Sequence, residues 1–258
     1  GSFAFYRCTS LTQISIPFSL KVIEPFTFDG CESLTQIIIP PSVEKIGNNA
    51  FSNCPSLKKI EIPPVNEIGQ NAFNGCVSIE LSDKMKIIPN DLFKNCNSLT
   101  QIKIPSSIEY IGSYAFYNCK SLSKVNIPSS VIYIGDFAFK GCLSISEIEI
   151  PPLVKSIGNN LFDGCVSLDS VTIPNSVSSI GDYAFRGCKV LTRVEISYSI
   201  KKIGSFAFDE CASLIKVSIP STVESIGICA FRKCHSLREI SIPSSLEVID
   251  ECIFEECV

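Results

Sequence analysis

The chain has 258 residues with 22 basic and 26 acidic side chains, a formal net charge of −4 and a hydrophobic content of 45%. Interspersed charges of both signs exclude the basic surface that a nucleic-acid-binding protein needs. No apolar run approaches the roughly 18 residues of a membrane-spanning helix. We therefore expect no nucleic-acid partner and no insertion into a membrane.

Cysteine recurs at a nearly constant interval along the whole chain. The twelve cysteines that mark this interval are Cys8, Cys31, Cys54, Cys76, Cys96, Cys119, Cys142, Cys165, Cys188, Cys211, Cys234 and Cys257. Successive intervals are 23 residues, apart from 22 before Cys76 and 20 after it. A fixed period of this length indicates a solenoid built from stacked units. The chain therefore comprises about eleven units.

The unit that begins at Cys119 shows the predicted elements in order. Val125 and Ile127 alternate with Asn126, which predicts a short strand with one buried face. Pro128 follows at once and lacks the N–H that a strand ladder needs, so the strand ends there.

The second half of the unit begins after this proline. Val131 and Ile134 predict a second, shorter extended segment. Gly135 is predicted to adopt a positive φ in a tight bend. Ala138 and Cys142, four residues apart, predict a single helical or 3₁₀ turn.

One unit cannot bury its apolar residues alone, but stacked units in register place each on its counterparts. All connections then have one hand, so the strands should be parallel. We expect one domain over residues 1–258, mainly parallel β with short helical or 3₁₀ turns. Both termini fall inside a unit, which predicts a fragment of a longer array.

The pattern C-x-S-L-x-x-I-x-I-P-x-S-V-x-x-I-G-x-x-A-F-x-x resembles the BspA-like, Treponema pallidum-type leucine-rich repeat over the entire chain. The resemblance implies an α/β leucine-rich-repeat solenoid that curves as a right-handed array. It also implies a non-catalytic domain that binds a protein ligand, in cell-surface adhesion or host-protein binding, on a surface or secreted protein.

The alternative is a cytoplasmic protein–protein interaction scaffold, or the recognition region of a larger enzyme. The absence of any N-x-[ST] sequon slightly favours that alternative.

Two units depart from the common length. The third lacks one residue near Pro63, and the fourth, which begins at Cys76, lacks three. We predict that the strand Ile79–Leu81 keeps its register, that the loop before it shortens, and that a small packing defect or a local change of curvature lies near Met85.

The cysteines show no paired C-x-x-C spacing of a zinc site. A position repeated in every unit indicates a small buried hydrophobe, so we predict free, buried thiols from Cys31 to Cys234. Cys229 and Cys252 form an outer column and are the pair best placed for a disulfide. The lone histidine, His235, is read as a solvated turn residue, and we predict no catalytic residue, metal site or cofactor.

Outward strand positions carry seven acidic and seven basic residues. They indicate either a solvated sheet face with cross-strand pairs or a polar binding surface on the concave side. We predict that binding centres on residues 100–241. The candidate binding residues are Lys103, Lys124, Glu149, Arg193, Glu195, Lys216 and Arg238.

An aromatic column forms a second candidate surface. The residue before the conserved alanine position is aromatic in six units but asparagine in others, as at Asn160. It indicates either partial packing over adjacent turns or an aromatic contact strip. The strip would comprise Tyr114, Phe137, Tyr183 and Phe206.

Overall fold

The computed structural model describes residues 1–63, 65–244, 246 and 252–257, and in them the chain winds into two columns of short parallel strands. In chain order the strands are Val22–Ile23 (β1), Gln36–Ile38 (β2), Lys45–Ile46 (β3), Lys59–Glu61 (β4), Glu67–Ile68 (β5), Ser78–Leu81 (β6), Ile87–Ile88 (β7), Gln101–Lys103 (β8), Tyr110–Ile111 (β9), Lys124–Val125 (β10), Tyr133–Ile134 (β11), Glu147–Glu149 (β12), Ser156–Ile157 (β13), Ser170–Thr172 (β14), Ser179–Ile180 (β15), Arg193–Glu195 (β16), Lys202–Ile203 (β17), Lys216–Ser218 (β18), Ser225–Ile226 (β19) and Glu239–Ser241 (β20).

Even-numbered strands form one column and odd-numbered strands form the other. Equivalent positions of neighbouring units pair in parallel, as Val194 does with Val217 and Ile180 with Ile203. Both predicted extended segments are therefore confirmed, and so is the parallel stacking. The first unit, around Ile14 and Ile16, contributes no strand to the even column.

The region after the second strand contains consecutive β-turns, and no helix occurs among the described residues. The predicted helical turn is therefore wrong. Phe137 and Gly141 have left-handed φ angles of 61° and 73°. A helix needs successive right-handed residues. Here, hydrogen bonds within a turn alternate with hydrogen bonds to the next unit: Lys140 N–H donates to Phe137 O (3.2 Å), while Phe139 N–H donates to Leu161 O of the next unit (3.1 Å).

Gly135 does not have the positive φ that we expected from the sequence. Its role is close approach, because a Cβ at this position would lie 2.4 Å from the backbone nitrogen of Ser113 in the preceding unit. The equivalent Gly112, Gly204 and Gly227 are equally close to a neighbouring backbone. The glycine therefore sets how tightly adjacent units stack.

The core contains a continuous stack of phenylalanine rings, one from each of the eleven units and Phe5 from the segment before the first unit. Ring centroids of neighbours are 5.1–6.0 Å apart. The members are Phe5, Phe28, Phe51, Phe73, Phe93, Phe116, Phe139, Phe162, Phe185, Phe208, Phe231 and Phe254. Stacking of this kind adds to the burial energy and orders the units along the solenoid.

The repeated cysteines from Cys31 to Cys234 are free and buried, as predicted. Their thiols also have a polar role that the sequence interpretation missed. The Cys142 thiol donates to Phe116 O at 3.1 Å, and the Cys119 thiol donates to Phe93 O at 3.0 Å. Thiols of this column thus donate weak hydrogen bonds to a backbone carbonyl 26 residues earlier in the chain.

The short unit keeps its strand, but it keeps the predicted register on one side only: Ile79 pairs with Ile102, whereas Leu81 pairs with Ile60. Glu80 pairs with Lys59 on one side and with Lys103 on the other. Lys59 directly precedes the first inward isoleucine of its unit, whereas Lys103 directly follows the equivalent isoleucine of its own unit. The strands on the two sides of the short unit are therefore offset from each other by two residues. An even shift keeps inward residues inward, so Ile79 and Leu81 both remain buried.

The predicted shortening of the loop before this strand is confirmed. In the short unit the strand begins at Ser78, two positions after Cys76. In the regular unit that begins at Cys119, it begins at Lys124, five positions after the cysteine. Phe73 and Phe93 form the one strongly tilted pair of the ring stack, with 59° between their planes. The missing residues therefore disturb the packing locally.

Candidate protein-binding surfaces

All seven predicted polar-face residues are exposed. Six lie on even-numbered strands, and Arg238 directly precedes β20. The register places Arg193 beside Lys216 and Lys216 beside Glu239. The structure therefore brings the predicted residues onto one face, where they are spread over several strands.

Part of this face is paired within the chain. Lys103 Nζ lies 2.6 Å from Glu80 Oε1, and Lys216 Nζ lies 2.7 Å from Glu239 Oε2. The hydrogen bond from each lysine lowers the pKa of its glutamate below the usual value. Exposed pairs of this kind contribute little stability. Among the described residues, the candidates without a side-chain partner are Lys124, Glu149, Arg193, Glu195 and Arg238.

The predicted aromatic strip is divided into two stacked pairs. Tyr114 stacks on Phe137 at 4.6 Å and Tyr183 stacks on Phe206 at 4.9 Å between ring centroids. Asn160 occupies the equivalent position between the pairs. All four rings are half-buried, which favours packing over adjacent turns.

Cations cover these rings. Lys140 Nζ lies 5.5 Å from the centroid of Phe137, and the Arg186 guanidinium lies 5.2 Å from that of Tyr183. This column has left-handed φ angles, including 53° at Asn160. Asparagine tolerates that conformation, which explains why it alternates with aromatic residues here.

Beside this column runs a ladder of alternating charge that the sequence analysis did not detect. Asp163 is almost fully buried, and it accepts both Arg186 (Nε–Oδ1, 2.9 Å) and Lys140 (Nζ–Oδ2, 2.8 Å). Asp209 is also almost fully buried and is paired with Arg232 at 2.9 Å. The sequence does contain a signal for this ladder, because the residue after each core phenylalanine alternates in charge from unit to unit. These residues are Lys140, Asp163, Arg186, Asp209, Arg232 and Glu255.

An apolar groove of about 1080 Å³ crosses the first four units. Residues of β2, β4, β5 and β7 line it together with the bends between them. Its apolar walls include Phe18, Ile38, Ile62, Val65, Met85 and Ile87. Phe18 is 82% exposed and Ile38 is 61% exposed, so the groove presents unpartnered apolar surface.

The apolar surface continues beyond the groove along the odd-numbered strands. Ile87 pairs with Tyr110, and Tyr110 pairs with Tyr133. All three side chains are exposed. In later units the same position carries polar or charged residues, such as Ser156 and Lys202. The groove and this three-residue ladder therefore form one patch.

The groove coincides with the irregular units and lies outside residues 100–241, on which we predicted that binding centres. The third unit lacks one residue in its bend and the fourth lacks three, and we attribute the space to these losses. Two features of the sequence point to this apolar surface: Phe18 lies at a turn position of its unit, and Ile38 lies at an outward position of its strand.

Two further groups bear on metal binding. His235 is exposed, and its Nδ1 lies 3.0 Å from Glu256 O, in keeping with a turn residue. Cys229, Cys252 and Glu255 form a cluster whose ligand atoms all lie within 4.8 Å of one another. The sequence prediction of no metal site did not anticipate this cluster.

Two columns of parallel strands, a repeated core phenylalanine and a 23-residue period define a leucine-rich-repeat solenoid. The chain belongs to the BspA type leucine-rich repeat family. The family profile, described as BspA type Leucine rich repeat region, matches in six copies over residues 1–80, 67–179 and 155–258.

Solved structures agree with this assignment. A leucine-rich repeat protein from Bacteroides ovatus is 35% identical; the match covers 100% of this chain and 73% of that one, with a TM-score of 0.71. A leucine-rich cell surface protein from Faecalibacterium prausnitzii is 27% identical over 96% of this chain and 84% of that one, with a TM-score of 0.52.

A third structure, the pneumococcal vaccine antigen PcpA, is similar in fold alone. It is 18% identical, and the match covers 87% of this chain and 67% of that one with a TM-score of 0.52. A search of curated proteins found no match. The described residues contain no helix long and apolar enough to cross a bilayer.

Proposed function

We propose that this chain is a non-catalytic protein-binding domain whose binding surface is the apolar groove and the adjoining ladder of Ile87, Tyr110 and Tyr133. The groove carries the proposal, because exposed apolar patches larger than a few hundred square ångströms mark interaction sites in soluble proteins. Repeat domains of this family are suited to the task, since stacking builds an extended surface.

The occupant is a segment of a partner protein with apolar or aromatic side chains. Phe18, Ile38 and Ile87 offer exposed apolar contacts, and the tyrosines beyond them are suited to binding because each has an apolar ring and a polar tip. At the groove, Lys84 Nζ lies 3.0 Å from Glu61 Oε1. This rim therefore presents both signs, which suits a segment without strong net charge.

We further propose a role at the cell surface, in adhesion or binding of a host protein. The support is the family membership and the similarity to the Faecalibacterium cell surface protein. An intracellular scaffold, or the recognition region of a larger enzyme, is the competing proposal. Antibody labelling of intact against permeabilised source cells separates them: labelling of intact cells supports the surface role, and labelling only after permeabilisation contradicts it.

A second candidate surface is the polar face. Five of its seven predicted residues lack an internal side-chain partner among the described residues, and they could pair with charges of a protein ligand. This alternative keeps the same function but places binding over residues 100–241. It predicts that charge reversal at Lys124, Arg193 and Lys216 abolishes binding.

Selection from a displayed library of random peptides tests the two surfaces together. We expect the protein to select peptides rich in apolar and aromatic residues. Their affinity should fall by about tenfold or more when Phe18→Ser, Ile87→Ser and Tyr110→Ser are combined, because buried apolar anchors dominate such contacts. The triple charge reversal should leave their affinity unchanged.

Tyr198→Ser is the matched control, because Tyr198 occupies the turn position equivalent to Phe18 and is 77% exposed outside the groove. It should bind like the unsubstituted protein. Selected peptides that ignore the groove substitutions and respond to charge reversal would place binding on the polar face. No response to either set would contradict both proposals.

A further inference from the structure

We propose that Cys229, Cys252 and Glu255 form a binding site for a thiophilic divalent cation of the Zn²⁺ class. Their two sulfurs and a carboxylate oxygen all lie within 4.8 Å of one another. In tetrahedral zinc sites with Zn–S bonds near 2.3 Å, neighbouring sulfurs are about 3.8 Å apart. The ligands thus need to move by about an ångström to close around an ion.

The solenoid itself brings the two thiols together. Cys229 and Cys252 lie in the same column as the half-buried aromatic rings, where residues have left-handed φ angles. Their own φ angles are 54° and 62°. In other units this column holds stacked pairs such as Tyr183 and Phe206, with centroids 4.9 Å apart. Cysteines at consecutive positions therefore place two parallel thiols side by side.

Turn geometry supplies the third ligand. Glu255 N–H donates to Cys252 O at 3.2 Å, which closes a β-turn and returns the Glu255 side chain to the side of Cys252. The same i, i+3 relation brings Lys94 Nζ to within 2.7 Å of Asp91 Oδ1. The approach of Cys252 and Glu255 is thus a property of the repeat.

The chemistry of the three groups selects the ion. Thiolates are soft ligands that favour zinc, whereas calcium and magnesium take oxygen ligands. Two thiolates and one carboxylate leave a fourth tetrahedral position for water. Arg232, whose guanidinium pairs first with Asp209, also interacts electrostatically with Cys229 and Glu255.

The other thiols are not equivalent competitors. The core thiols, such as Cys142 and Cys165, are fully buried and donate to backbone carbonyls. Cys8 is exposed and far along the chain. Cys257 donates its thiol to Phe231 O at 3.0 Å. Binding should therefore be one ion per chain.

Titration of the reduced chain with Co²⁺ under anaerobic conditions tests the site. Cobalt bound by thiolate gives an intense near-ultraviolet charge-transfer band, and we expect it to saturate at one equivalent and to disappear when Zn²⁺ is added. Combined Cys229→Ser and Cys252→Ser should abolish the band. Glu255→Gln should keep the band and weaken binding about tenfold or more, as loss of a ligand does.

Cys8→Ser, Cys257→Ser and Glu256→Gln are the controls and should bind normally. Far-ultraviolet dichroism and thermal unfolding confirm that every variant is folded. The proposal is overturned if no band forms, if the band survives the double cysteine substitution, if Cys257→Ser abolishes it, or if Glu255→Gln binds as tightly as the unsubstituted chain. It is also overturned if Cys229 and Cys252 form a disulfide in the presence of equimolar Zn²⁺.

Discussion

Gly135 illustrates how a single residue sets the spacing of the solenoid. An added Cβ would lie 2.4 Å from Ser113 N and 2.7 Å from Ser113 Cα. Both are backbone atoms, which cannot rotate away as a flexible side chain can. Glycine is needed here for a close approach between units and not for an unusual φ.

We predict that Gly135→Ala lowers the free energy of unfolding by about 1–3 kcal/mol, the usual cost of overpacking. Urea unfolding monitored by far-ultraviolet dichroism measures this loss. Gly164→Asn is the matched control: its φ is 75°, a Cβ would meet Gly141 Cα at 3.9 Å, and asparagine adopts this conformation at Asn118. Equal losses in the two variants would contradict the close-approach explanation.

Asp163 shows that charge is used inside the turns as well as on the surface. Its carboxylate is almost fully buried between Lys140 and Arg186. Removing one partner of a buried ion pair leaves an uncompensated buried charge, which costs about 3–5 kcal/mol. Here the cations are 27% and 40% exposed and can turn partly to solvent.

We therefore predict that Asp163→Ala destabilises the protein by about 2–3 kcal/mol, just below that range. Glu224→Ala is the control, because Glu224 pairs with Lys201 at 3.1 Å with both side chains exposed, and it should cost under about 1 kcal/mol. Differential scanning calorimetry compares the two. A smaller effect at Asp163 than at Glu224 would refute the structural role of the ladder.

At the scale of one element, the short unit is the weak point of the array. The strands on its two sides are offset from each other by two residues, and the Phe73 and Phe93 ring planes are tilted by 59° with their centroids 6.0 Å apart. Inward residues such as Met85 nevertheless remain buried. The defect therefore lies in the alignment of neighbouring units, while the core stays covered.

We predict that amide hydrogen exchange is faster over residues 76–95 than in the regular units after Cys96, because weaker packing between units lowers the local opening energy. Mass spectrometry of peptides from the exchanged protein measures this. The segment 119–141 is the reference, as a regular unit with neighbours on both sides. Equal or stronger protection over residues 76–95 would show that the shifted register carries no cost.

At the scale of the whole molecule, the thiol ladder couples stability to pH. Burial raises the pKa of Cys54 and Cys165 from 9.0 to about 12, and it raises the pKa of other buried thiols, such as Cys142, well above 9.0. The folded chain therefore holds thiol protons that the unfolded chain releases. Its stability is fully present below pH 9 and falls as the pH rises from about 9 towards the folded values.

Each fully buried thiol should reduce the free energy of unfolding by up to about 1.4 kcal/mol per pH unit above pH 9. Combined Cys165→Ala and Cys188→Ala should make the decline shallower by up to about 2.7 kcal/mol per pH unit. Lysine and tyrosine titrate equally in both proteins, so the difference isolates the thiols. Urea unfolding at about pH 8, 9 and 10 measures it; parallel curves would exclude this coupling.

The sequence by itself determined the period, the two strands of each unit, the parallel stacking and the burial of the repeated cysteines. The alternation of apolar and polar residues and the cysteine interval both repeat along the sequence. These features can therefore be predicted, because the pattern inferred from one unit can be checked against every other unit. The seven candidate residues of the polar face were predicted to point outward, and all seven are exposed. Outward strand positions follow directly from the period-two pattern.

Contacts between units were decided only by the tertiary structure. Four such features join residues that lie 20 or more positions apart in sequence. They are the close approach of Gly135 to the neighbouring unit, the shifted register at Glu80, the apolar groove and the Cys229–Cys252–Glu255 cluster. Such contacts depend on how far each unit is displaced against the next, and one deleted residue changes that displacement. A motif within one unit describes what faces inward, but exposure and close approach are set by the neighbouring unit.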